Sequence, residues 1–310
     1  MHYVLGIDGG GTKTDCILMD EARRILSRTR SGPSNPMRVG FGGALASICE
    51  AIRSATQSAR IPTGEIIALC AGLAGTGHPE SQRKMRRLLE EEFPAVTVQV
   101  CTDLELTLAA TADGAAIVLI AGTGSAAVGR DAAGRTARVG GHGPLLGDDG
   151  GAYDIGRHAA IAAIRQFDRT AVNSALGARI LGEIEATSWQ EFQSRVIAGP
   201  DEVFPRLFPV VARAADEGDL EAKQLFHDAA SDLAALVASL VERLDLQGQK
   251  FLMAKSGGIL GRSVFFDREL EARLRETAPQ AEFGALGATP AESAAFLALQ
   301  SLQLQQQEGK

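Results

Sequence analysis

Two glycine-rich segments in this sequence are of the kind that binds phosphate. The segment 8–14 reads DGGGTKT and lies between two apolar runs that favour β-strands. The segment 122–125 reads GTGS and stands in the same way between the apolar runs 115–120 and 126–129. Glycine can adopt positive φ and lets backbone N–H groups approach a ligand closely, so both segments can present amides to a phosphate. The repeated strand-turn-strand unit predicts two related halves that face one another across a cleft.

The first glycine segment does not fit the two best-known nucleotide motifs. Gly6 and Gly11 have the spacing of a P-loop, but Thr12 stands where that motif requires lysine. A strand is predicted to follow the glycines, whereas both the P-loop and the dinucleotide fingerprint open a helix. A β-hairpin phosphate loop remains.

Two carboxylates and one amide are the side chains that could do chemistry beside these turns. Asp8 directly precedes the first glycine segment and could hold Mg²⁺, which prefers carboxylate oxygen; the alternative is an aspartate that only caps the turn. Asp103 follows the apolar segment 96–101 and could orient a hydroxyl group and accept its proton; the alternative is a cap for a helix that begins near Leu104. Asn35 lies in a Pro-rich turn and offers a donor and an acceptor.

These residues need a scaffold, and the hydrophobic pattern predicts an α/β one. After the opening hairpin come a helix over 42–59, a strand over 65–70, a helix over 81–92 and the strand over 96–101. Beyond Gly150 the chain is predicted to be mainly helical. The predicted helices there are 153–166, 188–198, 203–217 and 220–244, followed by a buried strand over 251–254 that ends at the turn 256–258 and by a closing helix over 290–300.

Composition excludes several classes of protein. A chain of 310 residues with 45% hydrophobic and 22% charged residues can bury a sizeable core, favours two domains and is not disordered. The net charge of −7, without clusters of basic and aromatic residues, argues against nucleic acid as a partner. No apolar run approaches the ~20 residues that a membrane span needs, and no export signal is seen. The four cysteines form no disulfide framework, so we expect a cytoplasmic protein.

Six segments occur in an order that resembles the N-acetylglucosamine kinases of the BadF/BadG/BcrA/BcrD-type ATPase family, within the actin, hexokinase and acetate kinase superfamily. They are 8–14, 34–35, 102–103, 122–125, 140–150 and 256–258. The resemblance implies an α/β fold of two ribonuclease-H-like, actin-like ATPase domains with a central cleft for ATP and a sugar. The implied domains are 1–113, 114–289 with extra helices, and a closing helix over 290–303 that packs back on the first domain. A homodimer and the phosphorylation of N-acetylglucosamine at its 6-hydroxyl are also implied.

The resemblance carries roles to individual residues. Asp103 is implied as the general base, and Asp8 is assigned to Mg²⁺. The residues assigned to ATP are Gly9, Gly10, Gly11, Thr12, Lys13, Thr123, Gly124, Ser125, Ala214, Gly257 and Gly258. Those assigned to the sugar are Asn35, Asp103, Gly124, Gly141, His142, Gly143 and Asp148. Asp149 is expected to cap the helix that follows Gly150.

One departure from the family pattern leaves the identity of the substrate sugar undecided. His142 stands where the animal enzymes have tryptophan, and an imidazole covers less apolar sugar surface than an indole. Glucosamine, N-acetylmuramate or another sugar is therefore an alternative substrate.

Other members of the superfamily suggest three further alternatives. An iron–sulfur activase is disfavoured because no cysteine lies beside the turns at 122–124 and 257–258. A zinc-binding repressor is disfavoured because no Cys-x-x-Cys spacing occurs. A regulator that binds sugar and ATP without turnover remains the rival from another class.

Overall fold

A computed structural model describes residues 2–308, with the side chains of residues 2–302. The chain divides into two compact units, one of Met1–Ala112 with Leu286–Lys310 and one of Asp113–Ala285. The strands are β1 (Tyr3–Gly9), β2 (Thr14–Asp20), β3 (Ile25–Ser31), β4 (Ile66–Leu73), β5 (Thr97–Cys101), β6 (Ala116–Ala121), β7 (Ser125–Arg130), β8 (Thr136–Gly140), β9 (Phe251–Ser256) and β10 (Ala281–Phe283). The helices are α1 (Pro36–Ala59), α2 (Pro79–Glu92), α3 (Asp103–Ala109), α4 (Ala152–Thr170), α5 (Ala175–Glu183), α6 (Trp189–Ala198), α7 (Pro200–Asp216), α8 (Leu220–Arg243), α9 (Val264–Thr277) and α10 (Pro290–Glu308).

The first unit is built on a mixed sheet with the strand order β3-β2-β1-β4-β5. Strands β1, β4 and β5 are parallel, while β2 runs antiparallel to both of its neighbours. Strands β1, β3, β4 and β5 therefore all end at the same edge of the sheet. In a parallel sheet that edge is where ligands bind.

Both faces of this sheet are covered. Leu5 and Ile7 of β1 belong to a buried cluster that includes residues of α1 and α2. Val4 points to the opposite cluster, which includes residues of α3 and α10. Gly6 of β1 lies against α10, and only glycine fits there, because a β-carbon would lie 2.3 Å from the backbone nitrogen of Ala295.

The second unit has its own mixed sheet, in the order β10-β9-β6-β7-β8. Strands β6, β9 and β10 are parallel, and β7 is antiparallel to β6 and to β8. The carboxyl ends of β6, β8 and β9 therefore share one edge. Helices α4 to α9 supply most of a large core, in which Phe226 packs with its ring centroid 5.7 Å from Phe208 and 4.7 Å from Phe266.

The predicted α/β fold class is confirmed, and so is the mainly helical character of the chain after Gly150. The hydrophobic pattern does not predict β3, α5, β8, α9 or β10. Strand β3 is an edge strand whose outer side chains are polar, so it lacks the apolar alternation of a buried strand. Helix α1 begins at Pro36 rather than at residue 42, with a break at Gly40, whose φ of 70° is not helical.

The helices differ in length and in apolar character, the two properties that decide whether a helix can cross a bilayer. Among the residues that the structure describes, no helix combines the length and the apolar character that a bilayer crossing requires.

Candidate active site

Asp8 and Asp103 lie at the ligand-binding edge of the first sheet. Asp8, near the end of β1, pairs in register with Gly72 of β4, which in turn pairs with Cys101 of β5. Asp103 follows Cys101 by two residues and begins α3. Burial, the charge of Asp103 and the charge of Asp15 raise the pKa of Asp8 to about 6, against the opposing effect of Lys13. The negative charge at this edge is therefore only partly compensated by the protein.

Asp103 does not serve as the cap of α3. The N-cap is Thr102, whose hydroxyl accepts a hydrogen bond from the Glu105 N–H, while the Glu105 carboxylate accepts one from the Thr102 N–H. This reciprocal capping box satisfies the helix terminus without the Asp103 carboxylate. The capping alternative for Asp103 is wrong.

The loop after β1 is closed by backbone hydrogen bonds. The N–H of Gly10 donates to the carbonyl of Lys13, and the N–H groups of Ser34 and Asn35 both donate to the carbonyl of Gly10. The expected positive φ angles are not found at Gly9, Gly10 or Gly11. Crowding explains the first glycine instead, because a β-carbon at Gly9 would lie 2.2 Å from the Ser34 Oγ atom.

The side chains of this loop are accessible. Thr12 and Lys13 are exposed, and the Lys13 Nζ atom lies 2.5 Å from the Asp15 Oδ2 atom. Arg30 donates to the other oxygen of Asp15. A third cation, which the sequence analysis does not single out, is Arg38, whose Nη1 atom donates to the Gly11 carbonyl at 3.3 Å. It lies on α1, far along the chain, so no local spacing indicates its place.

Asn35 combines a structural role with a place at the same edge. Its Oδ1 atom caps α1 by accepting a hydrogen bond from the Met37 N–H at 2.9 Å. Gly75, in the loop after β4, has a φ of 79°, and a β-carbon there would lie 2.2 Å from that same Oδ1 atom. Gly75 therefore lies against a predicted site residue, and its position just beyond a buried parallel strand is a signal in the sequence that could have indicated it.

In the second unit, the turn at 122–125 packs on the N-terminus of α4. The N–H groups of Ala152 and Tyr153 donate to the carbonyls of Gly122 and Thr123. A β-carbon at Gly151 would lie 2.8 Å from the Thr123 carbonyl oxygen. The amide end of a helix favours an anion nearby, which suits a turn assigned to phosphate.

The two hydroxyl residues of this turn differ. Thr123 is exposed. Ser125 is buried, and its Oγ atom donates to the carbonyl of Asp149 at 2.7 Å. The Ser125 hydroxyl proton is therefore already engaged within the protein.

A second glycine turn lies beside the first. Gly257 follows β9, which is parallel to β6, and has a φ of 127°. A β-carbon at Gly257 would lie 2.0 Å from the carbonyl oxygen of Ala121, whereas one at Gly258 would meet no atom within 4 Å. The turn is therefore tightly packed at Gly257 and open at Gly258.

Ala214, which the resemblance assigns to ATP, has a buried side chain. Ala214 is 1% exposed and lies in the large helical core. Its carbonyl accepts the N–H of Asp219 at the end of α7.

Asp148 combines an unusual backbone conformation with a buried carboxylate oxygen. Its φ is 62°, which non-glycine residues rarely adopt. Its Oδ2 atom lies 2.1 Å from where a β-carbon at Gly124 would be, and its Oδ1 atom is buried without a hydrogen-bond partner. Burial and then Asp149 raise the pKa of Asp148, while the amides of Gly143 and Ser125 and the side chain of His142 oppose the rise.

Asp149 does not cap α4, contrary to expectation. The N-cap is Gly151, which makes no side-chain cap bond, and the carboxylate of Asp154 accepts the Gly150 N–H instead. The left-handed turn at Asp148 and Gly150 shifts the start of the helix beyond the reach of Asp149.

The three predicted sugar residues after β8 lie next to this turn. The N–H of Gly141 donates to the carbonyl of Ser125. Gly141 and Gly143 have φ angles of 69° and 86°, so glycine is needed at both positions. His142 between them is exposed. The structure therefore brings together Gly124, Gly141 and Asp148 within the second unit.

The residues present suit a magnesium ion better than a transition metal. Within the described part of the chain, no group of three or more His, Cys, Asp or Glu side chains is arranged to hold a metal. All four cysteines are free thiols. Mg²⁺ needs only one or two carboxylates, because phosphate and water supply its other ligands. Asp8, whose charge is disfavoured by burial and by Asp103, fits that requirement.

Comparisons with known proteins agree with this description. The chain is 30% identical over 263 residues to an N-acetylmuramic acid/N-acetylglucosamine kinase of Clostridium acetobutylicum, covering 84% of this chain and 86% of that one. It is 27% identical over 311 residues to an N-acetyl-D-glucosamine kinase of Dictyostelium discoideum, covering 96% and 98%. The fold matches the crystal structure of a proposed N-acetylglucosamine kinase from Chromobacterium violaceum, with a TM-score of 0.80, 24% identity and coverage of 96% and 99%.

The family assignment rests on a match that spans most of the sequence. Residues 5–289 fit the sequence profile of the BadF/BadG/BcrA/BcrD ATPase family. The resemblance drawn from the ordered motifs is confirmed. This chain belongs to the BadF/BadG/BcrA/BcrD ATPase family.

Proposed function

We propose that this protein is an ATP-dependent amino-sugar kinase that transfers the γ-phosphoryl group to the 6-hydroxyl of N-acetylglucosamine. The observation that carries the proposal is the position of Asp103 beside Asp8, at the edge where the parallel strands of the first sheet end, while Thr102 and Glu105 cap its helix. The names of the two curated relatives point to the same class of substrate.

Residues of the first unit would handle the acceptor and the transferring group. Asp103 would orient the sugar hydroxyl and accept its proton, which is the one acid-base step that phosphoryl transfer to an alcohol needs. Asn35 keeps its amide Nδ2 donors for a sugar hydroxyl, since its Oδ1 atom caps α1. Lys13 would exchange its contact with Asp15 for a phosphate oxygen.

Asp8 would hold Mg²⁺ directly or through one of its waters. The metal would supply positive charge to the β- and γ-phosphate oxygens.

Residues of the second unit would bind the nucleotide and the rest of the sugar. Thr123 and Gly124 would offer backbone amides to phosphate in the turn that ends at Ser125, and the open face of Gly258 would allow close approach of the adenosine. The unpartnered Oδ1 atom of Asp148 would accept a sugar hydroxyl, with Gly141, His142 and Gly143 beside it.

A coupled assay of ADP release over a panel of sugars tests the proposal. The panel contains N-acetylglucosamine, glucosamine, N-acetylmuramate, glucose and a no-sugar control. Sugar-dependent ADP release, with the phosphate on the 6-hydroxyl of N-acetylglucosamine, would support the kinase. Faster turnover of glucosamine or N-acetylmuramate would show that the sugar is a different one, while the proposed kinase reaction would stand. Binding of sugar and ATP without ADP release would favour a regulator.

A further inference from the structure

Two leucines stand exposed in the loop between β8 and α4. Leu145 is 90% exposed and Leu146 is 83% exposed, the highest values among the large apolar side chains of the described chain. Exposing a leucine in this way forgoes the free energy of burying it, so two adjacent ones without packing partners need an explanation.

The loop that carries them is anchored at both ends. At one end the N–H of Gly141 donates to the carbonyl of Ser125, and at the other the N–H of Gly151 donates to the carbonyl of Asp148. The two sides of the loop meet between these ends, since a β-carbon at Gly147 would lie in van der Waals contact, 3.6 Å, with the Cβ atom of His142. The tip, Pro144 to Leu146, therefore projects from a fixed base.

The base of the loop is also the place where the structure shows an unsatisfied polar atom. The Oδ1 atom of Asp148 is buried and has no hydrogen-bond partner, and Asp148 lies against Gly124. The amide of Gly143 is close enough to the Asp148 carboxylate to lower its pKa. The N–H of Leu146 donates to the carbonyl of Gly143, so the backbone of the loop tip is held beside the segment that faces this carboxylate.

We infer that Leu145 and Leu146 contact the N-acyl group of the substrate and select acylated amino sugars over the free amine. This inference rests on the proposed function. An acyl methyl group is the one apolar substituent that distinguishes N-acetylglucosamine from glucosamine, and it needs an apolar surface beside the polar groups that bind the ring hydroxyls. The carboxylate of Asp148 offers no such surface and the imidazole of His142 offers less than an indole would, whereas the adjacent leucines are fully apolar.

The test compares kcat/KM for N-acetylglucosamine, N-butyrylglucosamine and glucosamine in the wild type and in a Leu145→Gln/Leu146→Gln double variant. Glutamine is close to leucine in size but polar. We expect kcat/KM for the two acylated sugars to fall roughly tenfold, mainly through KM, because a lost apolar contact of this size costs about that factor. The value for glucosamine should stay within about twofold of the wild type.

Two controls sharpen the result. Leu220→Gln changes a leucine of similar exposure, 81%, at the start of α8, and should leave all three sugars unaffected. Leu145→Met/Leu146→Met keeps an apolar surface and should retain most of the preference for acylated sugars.

The outcomes separate the inference from the proposed function. An unchanged ratio between acylated and free sugars, or an equal loss for both, would overturn the inference while leaving the kinase intact. A wild type that prefers glucosamine would do the same. A wild type that phosphorylates no amino sugar would overturn both.

Discussion

Asp8 and Asp103 share one edge of the first sheet, where burial of Asp8 and the charge of Asp103 keep the Asp8 carboxylate partly protonated near pH 6. The strand register explains their closeness, because β4 lies between β1 and β5 and aligns Asp8 with the end of β5. Two carboxylates held in this way lower the stability of the protein at neutral pH unless a cation joins them. Such a loss of stability is expected of carboxylates that are arranged to hold a metal ion, because the ion offsets their repulsion when it binds.

Asp8→Asn is expected to stabilise the metal-free protein at neutral pH. The folded protein holds the Asp8 proton up to about pH 6, whereas the unfolded chain releases it near the ordinary value of 3.8. Wild-type stability should therefore fall as the pH rises from about 4 to about 6 and remain lower above that, by up to about 3 kcal/mol.

Urea unfolding of both proteins at pH 4 and pH 7.5 measures this difference. The variant should gain stability over the wild type only at the higher pH. Mg²⁺ should protect the wild type and not the variant. A variant that is less stable than the wild type at pH 7.5 would contradict the assignment.

Asp103→Asn is expected to abolish sugar-dependent turnover while the fold and ATP binding remain. Removal of a general base typically costs about 10²- to 10⁴-fold in rate. The variant should stay folded, because Thr102 and Glu105 cap α3, and its thermal midpoint at neutral pH should not fall, because the charge of Asp103 disfavours the ionised form of Asp8. Thr102→Ala is the matched control and should lose about 1 kcal/mol of stability. An Asp103→Asn variant with full kcat would show that another group accepts the proton.

Gly75→Ala is expected to weaken sugar binding through Asn35. The new methyl group would meet the Asn35 Oδ1 atom at 2.2 Å, on a backbone with a φ of 79°. We expect a loss of stability of about 2 to 4 kcal/mol and a higher KM for the sugar. Gly40→Ala has a similar φ of 70° but a ψ of 165°, in a region used almost only by glycine. Because no atom lies within 4 Å of its β-carbon, the variant should lose about 1 to 3 kcal/mol and keep its KM. Equal KM values for the sugar in the two variants would show that the loop at Gly75 does not influence sugar binding.

Gly257→Ala and Gly258→Ala are expected to differ in kind. At Gly257 the methyl group would lie 2.0 Å from the Ala121 carbonyl oxygen, so the protein should be destabilised by about 2 kcal/mol or more. At Gly258 the methyl group would meet nothing in the protein, so stability should hold while the KM for ATP rises if adenosine approaches there. Calorimetric titration with ATP and thermal unfolding measure both effects. An unaltered ATP affinity in a stable Gly258→Ala protein would remove this residue from the nucleotide site.

Local sequence is enough to predict most of the candidate site residues. The glycine turns, Asp8 and Asp103 are each predicted from a strand that stops at a polar or glycine residue, and the structure places them at the carboxyl ends of parallel strands. The order of the motifs indicated the family, which the sequence comparisons confirm.

Some local interpretations failed for a physical reason. Positive φ was the expected reason for Gly9, but the crowding of its α-carbon by Ser34, 25 positions along the chain, is what requires glycine. Asp149 is expected to cap α4, and capping is the alternative role for Asp103, but neither residue caps its helix, because the choice among neighbouring polar residues depends on where the turn places each side chain. Ala214 is assigned to ATP by the resemblance, and only the packing of its helix shows that its side chain is buried.

The sequence by itself determined which residues end the strands, how glycine and carboxylate are spaced around them, and the family to which the chain belongs. Only the tertiary structure decided which of those ends share an edge, because strand order joins residues that lie far apart in the chain. It alone showed that Gly75 meets Asn35, that an oxygen of Asp148 is buried without a partner, and that Leu145 and Leu146 remain exposed. Burial and the approach of distant groups set the charge and contacts of each side chain, and neither is encoded in local spacing.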